Sequence, residues 1–204
     1  AKESILFENC NSPMAQTLPT HTSLFTSVYP REHGIVANIA QTGGMYKPSP
    51  VLQTFATAIG KQGYLTAGFV SAEPVKKVGG IAAGFAKWYE PDDKKVEGDW
   101  TNRKIFEWID AGGLKEPFLA WVHYFDPHAN NEPPAPFDTM FQDDEKLDKY
   151  MAERAFGMEA GKERAGKETH AKTKKSKESI NLYDGEVRWT DENIGKLFGK
   201  LKEK

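Results

Sequence analysis

Leu52-Gln53-Thr54-Phe55-Ala56-Thr57-Ala58-Ile59-Gly60-Lys61-Gln62-Gly63, running into Tyr64-Leu65-Thr66-Ala67-Gly68-Phe69-Val70-Ser71, holds a helix and a strand back to back. Leu52, Phe55, Ala56 and Ile59 recur at helical spacing, and Gly63 can take the left-handed conformation that closes a helix. Tyr64–Ser71 then predicts a strand. The same succession returns downstream. Asp99–Ala111 places Ile105, Phe106, Trp108 and Ile109 on a helical stripe closed by Gly112-Gly113. Pro117–Tyr124 is a nearly continuous apolar run, which predicts a strand buried on both faces. Two helix-then-strand pairs in series predict an α/β fold with a mostly parallel sheet flanked by helices. Ser4–Phe7 predicts a further short strand, and Ile180–Leu201 an amphipathic helix through Leu182, Val187, Trp189, Ile194, Leu197 and Leu201.

Outward from this frame, Thr17-Leu18-Pro19-Thr20-His21-Thr22-Ser23-Leu24-Phe25-Thr26-Ser27 predicts a helix reaching about Val28, with Tyr29-Pro30-Arg31-Glu32-His33-Gly34 as a turn behind it. Thr17 is placed to be an N-cap, and Pro19 is tolerated in a first turn because its missing N–H would be orphaned there anyway. A helix start aims free N–H groups and partial positive charge at an anion beside the hydroxyl. That suits attack on a sulfate or phosphate ester, although most such residues are only caps.

Composition bounds the rest. With 204 residues the chain can hold one sizeable core, and 39% hydrophobic with 27% charged residues is ordinary for a globular protein. A formal net charge of −2 leaves no electrostatic footprint for nucleic acid. No apolar run reaches the length of a membrane span. Cys10 is the one cysteine, so no internal disulfide forms, and it reads as a small buried hydrophobe. From Asp138 to Ser179 Glu, Lys and Ala dominate. There Lys172, Lys174, Lys175 and Lys177 read as a solvated face and His170 as a surface residue. The abrupt start at Ala1 and end at Lys204 suggest a piece of something larger.

The string from Thr17 to Gly34 resembles the nucleophile segment of the sulfatase branch of the alkaline phosphatase superfamily. Phe7-Glu8-Asn9 matches its approach strand, Gly63-Tyr64-Leu65-Thr66-Ala67 its Gly-Tyr-x-Thr-Ala strand, and Gly84-Phe85 part of its Gly-Phe-Asp. Trp121-Val122-His123-Tyr124-Phe125-Asp126-Pro127-His128 resembles its His-x-x-Asp-Pro-His segment. Tyr183-Asp184-Gly185-Glu186-Val187 resembles its late Tyr-x-Gly-Glu-Val helix. The resemblance implies an alkaline phosphatase-like fold, incomplete here. It implies one partial catalytic domain over 1–204 with a charged excursion at about 138–179, and a parent that hydrolyses sulfate or phosphate esters. It also implies a divalent metal in that parent, zinc or calcium, not held tightly by this chain alone. A small-molecule or glycan or lipid ester is the implied substrate, and the resemblance favours a periplasmic or secreted setting.

Residue by residue, Thr17 takes the nucleophile's position and is the implied metal ligand. Sulfatases oxidise Cys or Ser there to formylglycine; threonine would give a ketone, and a metal-activated Thr alkoxide belongs to the phosphodiesterase branch. His21 replaces the sulfatase Arg and pairs with the transferred oxyanion, positions Thr17, or is simply a polar residue one turn in. Gly68-Phe69-Val70-Ser71-Ala72 carries neither the Lys nor the His that contacts sulfate in ordinary sulfatases. His128 is the remaining candidate to donate to an ester oxygen or protonate the leaving group. His123 reads as core packing with a satisfied hydrogen bond, Asp126 and His33 as turn structure, and Asp92-Asp93 and Asp143-Asp144 as solvated loop acids. The superfamily's Asp-Asp and Asp-His-Gly metal elements have no match in the chain. A phosphodiesterase or phosphotransferase is the alternative activity, and a noncatalytic binding domain the alternative class.

Overall fold

The computed structural model describes residues 5–40, 49, 51–114, 117–142, 145, 146, 149 and 166–203, of which 166–176 only as backbone. The chain forms two compact units, Ala1–Tyr124 and Phe125–Lys204. Asp143-Asp144 lie outside the described residues, as do residues 147, 148 and 150–165 of the charged excursion and the side chains of His170, Lys172, Lys174 and Lys175.

In the first unit, α1 (Thr17–Thr26) buries Leu18, Pro19, Thr22 and Phe25 on one stripe. It ends where Ser27 turns left-handed at φ 58° and its N–H bonds the Ser23 carbonyl. The single turn α2 (Pro30–His33) starts on a proline and is closed by Gly34 at φ 77°. Helix α3 (Phe55–Gly60) is shorter than its apolar spacing predicts, because the Thr54 side chain caps it by accepting the Thr57 N–H at 3.1 Å. Gly63, at φ 88°, makes the turn into the sheet.

Strands β1 (Leu65–Phe69), β2 (Lys87–Tyr89) and β3 (Phe118–Val122) form a parallel sheet in the order β2-β1-β3. Helix α4 (Gly98–Trp108) and a wide turn over Ile109–Gly113 lead into β3. Side-chain alternation assigns the two faces. Phe69 stacks on Tyr89 at 4.8 Å between ring centres, and Trp108 of α4 meets it at 5.6 Å. On the opposite face Gly68 pairs with both Trp88 and Trp121. A Cβ at Gly68 would come within 2.4 Å of the Trp88 ring, so glycine is what lets that indole lie flat on the sheet. Phe25 of α1 packs over this layer, with ring centres 4.6 Å from Trp121 and 4.9 Å from Phe55. Leu18, Phe25, Ile35, Val70, Val75 and Ile81 form the buried core beneath α1. Helices therefore cover both faces of a parallel sheet, as the repeated helix-strand succession predicts.

Three expectations need correcting. Residues 5–7 form no strand: Ile5, Leu6 and Phe7 are 84%, 82% and 76% exposed. An apolar run becomes a strand only where a neighbour supplies ladder bonds and a layer covers its side chains, and among the described residues nothing does so for these three. Cys10, in the same segment, is exposed rather than buried. Every residue of β3 is half-buried, whereas the full burial predicted for it belongs to the central strand, where Thr66, Ala67 and Phe69 are enclosed.

In the second unit, α5 (Gly166–Lys202) contains the predicted amphipathic segment. Gly185 lies against residues 133–137, where a Cβ would sit 2.3 Å from the Phe137 carbonyl oxygen. The buried Glu186 carboxylate accepts the Glu132 N–H at 2.8 Å, and Trp189 packs on Phe137 at 5.3 Å. The Gly-Glu pair of α5 thus pins the loop that begins at Phe125 and carries His128.

Candidate active site

The start of α1 is capped differently from expectation. Thr17 is the first helical residue, half-buried, and Gln16 is the N-cap, with no side-chain cap bond of its own. The orphan N–H of Leu18 is instead met at 2.8 Å by Asn38 Oδ1, from 20 residues away. Gln16 Oε1 accepts the Asn38 N–H in return, at 2.9 Å. Asn38 is a capping partner that the local sequence does not announce, because capping preferences are read within a single turn. With Asn38 as cap, the Thr17 hydroxyl is released from that duty.

His21 lies one turn along. Its Nδ1–H donates to the Thr17 carbonyl at 2.8 Å, a bond with only one possible direction since a carbonyl only accepts. Burial pushes the imidazole below its ordinary pKa, outweighing the raising effect of that bond. The neutral ring therefore keeps an unprotonated Nε2. An unprotonated nitrogen cannot donate to an oxyanion, so the geometry favours His21 as an anchor of the helix start over His21 as an oxyanion donor.

His123 continues the alternation of β3 onto the face that α1 covers. Its N–H extends the ladder to the Phe69 carbonyl at 2.8 Å. Ser71, just beyond β1, donates its hydroxyl proton to the His123 carbonyl at 2.8 Å. That commits the single Ser71 proton, so the 3.1 Å contact from His123 Nδ1 to Ser71 Oγ has the ring as donor. The ring centres of His21 and His123 are 5.3 Å apart, and Trp121 lies 5.5 Å from the first and 5.8 Å from the second. Burial and the neighbouring His21 push His123 down to about 3. Ser71 serves His123 through both of these bonds. The pairing crosses 52 residues, which no local motif reveals.

The other candidates are placed plainly. His33 accepts the Ile35 N–H at Nδ1, so its Nε2–H donates to Ser23 Oγ at 3.0 Å. It is turn structure, as predicted, and cannot act as a base toward that serine. His128 belongs to the second unit, where it is exposed, stacks on Phe125 at 4.4 Å and donates from Nδ1 to the Ala129 carbonyl at 2.7 Å. Asp92 and Asp93 are exposed loop residues whose carbonyls receive Lys76 Nζ. A cavity of about 740 Å³ beside α1 is lined by Cys10, Ser12, Ser23, Leu24 and Tyr29 among others, but not by Thr17 or His21.

The sequence model of the sulfatase family matches residues 1–204. The chain belongs to the sulfatase family. This sulfatase-family chain is similar in fold to three solved structures of low identity. One, from Bacteroides fragilis and assigned as a sulfatase, has 17% identity and a TM-score of 0.67, covering 94% of this chain and 49% of that one. A second, solved with its substrate D-glucosamine-2-N,6-O-disulfate, has 18% identity and a TM-score of 0.65, covering 96% and 54%. The phosphonate monoester hydrolase of Agrobacterium radiobacter has 15% identity and a TM-score of 0.65, covering 94% and 51%. The chain thus spans about half the length of these structures. No curated protein matches it in sequence.

Sulfatases generally use a divalent metal. The Thr17 hydroxyl would be one oxygen donor to it, and such ions need several converging ligands. Among the described residues no three His, Cys, Asp or Glu side chains converge to hold an ion. The donor set around Thr17 does not fit the family's cation by itself.

Proposed function

We propose that the whole protein is an ester hydrolase that uses Thr17 as its nucleophile, with a preference for phosphoryl over sulfuryl esters. The observation carrying this is the Thr17 hydroxyl at the first position of α1, with its capping duty taken by Asn38. In the proposed reaction the Thr17 hydroxyl gives its proton to water as the Oγ–P bond forms and the bond from phosphorus to the leaving oxygen breaks, the leaving oxygen takes a proton from solvent, and a second water then breaks the Oγ–P bond and returns a proton to Oγ. The Leu18 N–H is taken by Asn38, Pro19 has none and the Thr20 N–H bonds the Gln16 carbonyl, so the helix start favours the charge that grows on the phosphoryl oxygens through its dipole. His21 holds the Thr17 carbonyl through its Nδ1–H.

The preference rests on chemistry at two positions. Threonine cannot become the formylglycine that sulfate hydrolysis requires, and Gly68–Ala72 carries neither a Lys nor a His, its Ser71 being bonded to His123. A phosphate monoester also carries nearly two charges near neutrality, which rewards a helix start more than the single charge of a sulfate monoester does. The similarity in fold to a phosphonate monoester hydrolase is consistent with this preference. The test is kcat/KM of the intact parent, with metal supplied, on paired nitrophenyl phosphate and nitrophenyl sulfate, for wild type and Thr17→Ala. The expected result is faster phosphate cleavage, abolished in the variant. A preference for the sulfate would overturn the substrate assignment. More than about a tenth of activity surviving in Thr17→Ala would overturn the nucleophile, since covalent catalysis does not outlive its loss.

A further inference from the structure

We propose that His21 and His123 form a two-imidazole site for one divalent transition-metal ion of the zinc type. The protons are fixed by partners that leave no alternative. The His21 Nδ1–H is held by a carbonyl, and the His123 Nδ1–H by a serine whose own proton is already committed. Each neutral ring is therefore left with its Nε2 lone pair. Metal-binding histidines are prepared in this way, one ring nitrogen donating to an outer partner and the other bare.

The spacing agrees. Two imidazoles on one tetrahedral zinc, each with an N–Zn distance of about 2.0–2.1 Å, have ring centres roughly 5 Å apart; those of His21 and His123 are 5.3 Å apart. The two rings come from rigid elements, the second turn of α1 and the end of β3, so they do not have to be gathered from a loop. Trp121 packs against both and forms an apolar wall. Ser71 and His123 lie just past the carboxyl ends of adjacent parallel strands, where open α/β sheets bind ligands. Imidazole selects zinc, nickel or copper over calcium and magnesium, which want oxygen. With two protein donors, water or a substrate oxygen completes the coordination.

The experiment is calorimetric titration of the full chain with zinc and, separately, with calcium, with cobalt as a spectroscopic probe of the same site. One equivalent of zinc is expected to bind and calcium is not. His21→Ala and His123→Ala should each weaken zinc by about tenfold or more. Ser71→Ala, which keeps both ligands, should weaken it by about 10–100-fold through the lost outer partner. Thr17→Ala should bind zinc like wild type, which separates this site from the nucleophile's position. Zinc binding unchanged in both histidine variants, or lost in Thr17→Ala, would overturn the proposal. Should a histidine variant fail to fold, nitrogen-15 NMR of the metal-free wild type still decides: a proton on Nε2 of either ring refutes the site, and bare Nε2 on both supports it. Ester hydrolysis is not a readout here, so failure of the metal site leaves the assignment of Thr17 standing.

Discussion

At the residue scale, the capping of α1 separates two roles that the sequence merges in Thr17. A side-chain cap contributes about 1 kcal/mol to a helix. That contribution comes from Asn38 Oδ1 on the Leu18 N–H, not from Thr17. Asn38→Ala is therefore expected to lower stability by about 1 kcal/mol in urea denaturation. Thr17→Ala, at a half-buried position with no cap bond, should stay within about 0.5 kcal/mol. The opposite ranking would return the cap to Thr17 and weaken its assignment as nucleophile. If the expected ranking holds, Thr17→Ala tests chemistry in a fold that it scarcely disturbs.

At the scale of elements, the structure rests on close approaches that glycine permits. Gly84 has φ 89°, and a Cβ there would lie 2.2 Å from the Thr57 nitrogen at the start of α3. Thr54 and Thr66 fasten the same turn through the Ala83 and Gly84 carbonyls, at 2.6 and 2.8 Å. Gly84→Ala adds overpacking to an unfavourable backbone conformation and should cost about 2 kcal/mol or more. A thermal melt within a degree of wild type would show that α3 and the turn yield instead. In the second unit, Glu186→Ala strands the Glu132 N–H and should cost about 1–3 kcal/mol, while Glu186→Gln, which keeps an acceptor, should cost less. Equal losses would mean that the carboxylate charge, not the bond, holds the loop of His128. The helix-strand pairs were legible because their signals are local: apolar period, a closing glycine and an uninterrupted apolar run. Ile5–Phe7 misled because a strand also needs partners, and Asn38 was hidden because its partner is remote. The i, i+4 relation of Thr17 and His21 could be read directly along one helix. The Ser71–His123 pair could not, since it exists only once β1 and β3 lie side by side.

For the whole molecule, the buried histidines set a direction for stability against pH. His123 is held at about 3 in the folded chain against 6.5 as the ordinary value, and His21 is lowered as well. Between those limits the unfolded chain binds a proton at His123 that the folded chain refuses. Stability must then rise with pH across that window. The contribution is fully present above about 6.5 and is lost as pH falls toward 3. A shift of this size corresponds to a few kcal/mol at most, because each pKa unit is worth about 1.4 kcal/mol. In metal-free protein, unfolding free energy should fall steadily from pH 7 to pH 4, and His123→Gln should flatten that slope although its stability at pH 7 is lower. Carboxylates also titrate near the acid end, so the comparison that decides is the slope between pH 6.5 and 5, above the ordinary range of Asp and Glu. An identical slope in the variant would mean that His123 takes up its proton in the folded state. The bare Nε2 on which the paired imidazoles depend would then not survive below neutrality.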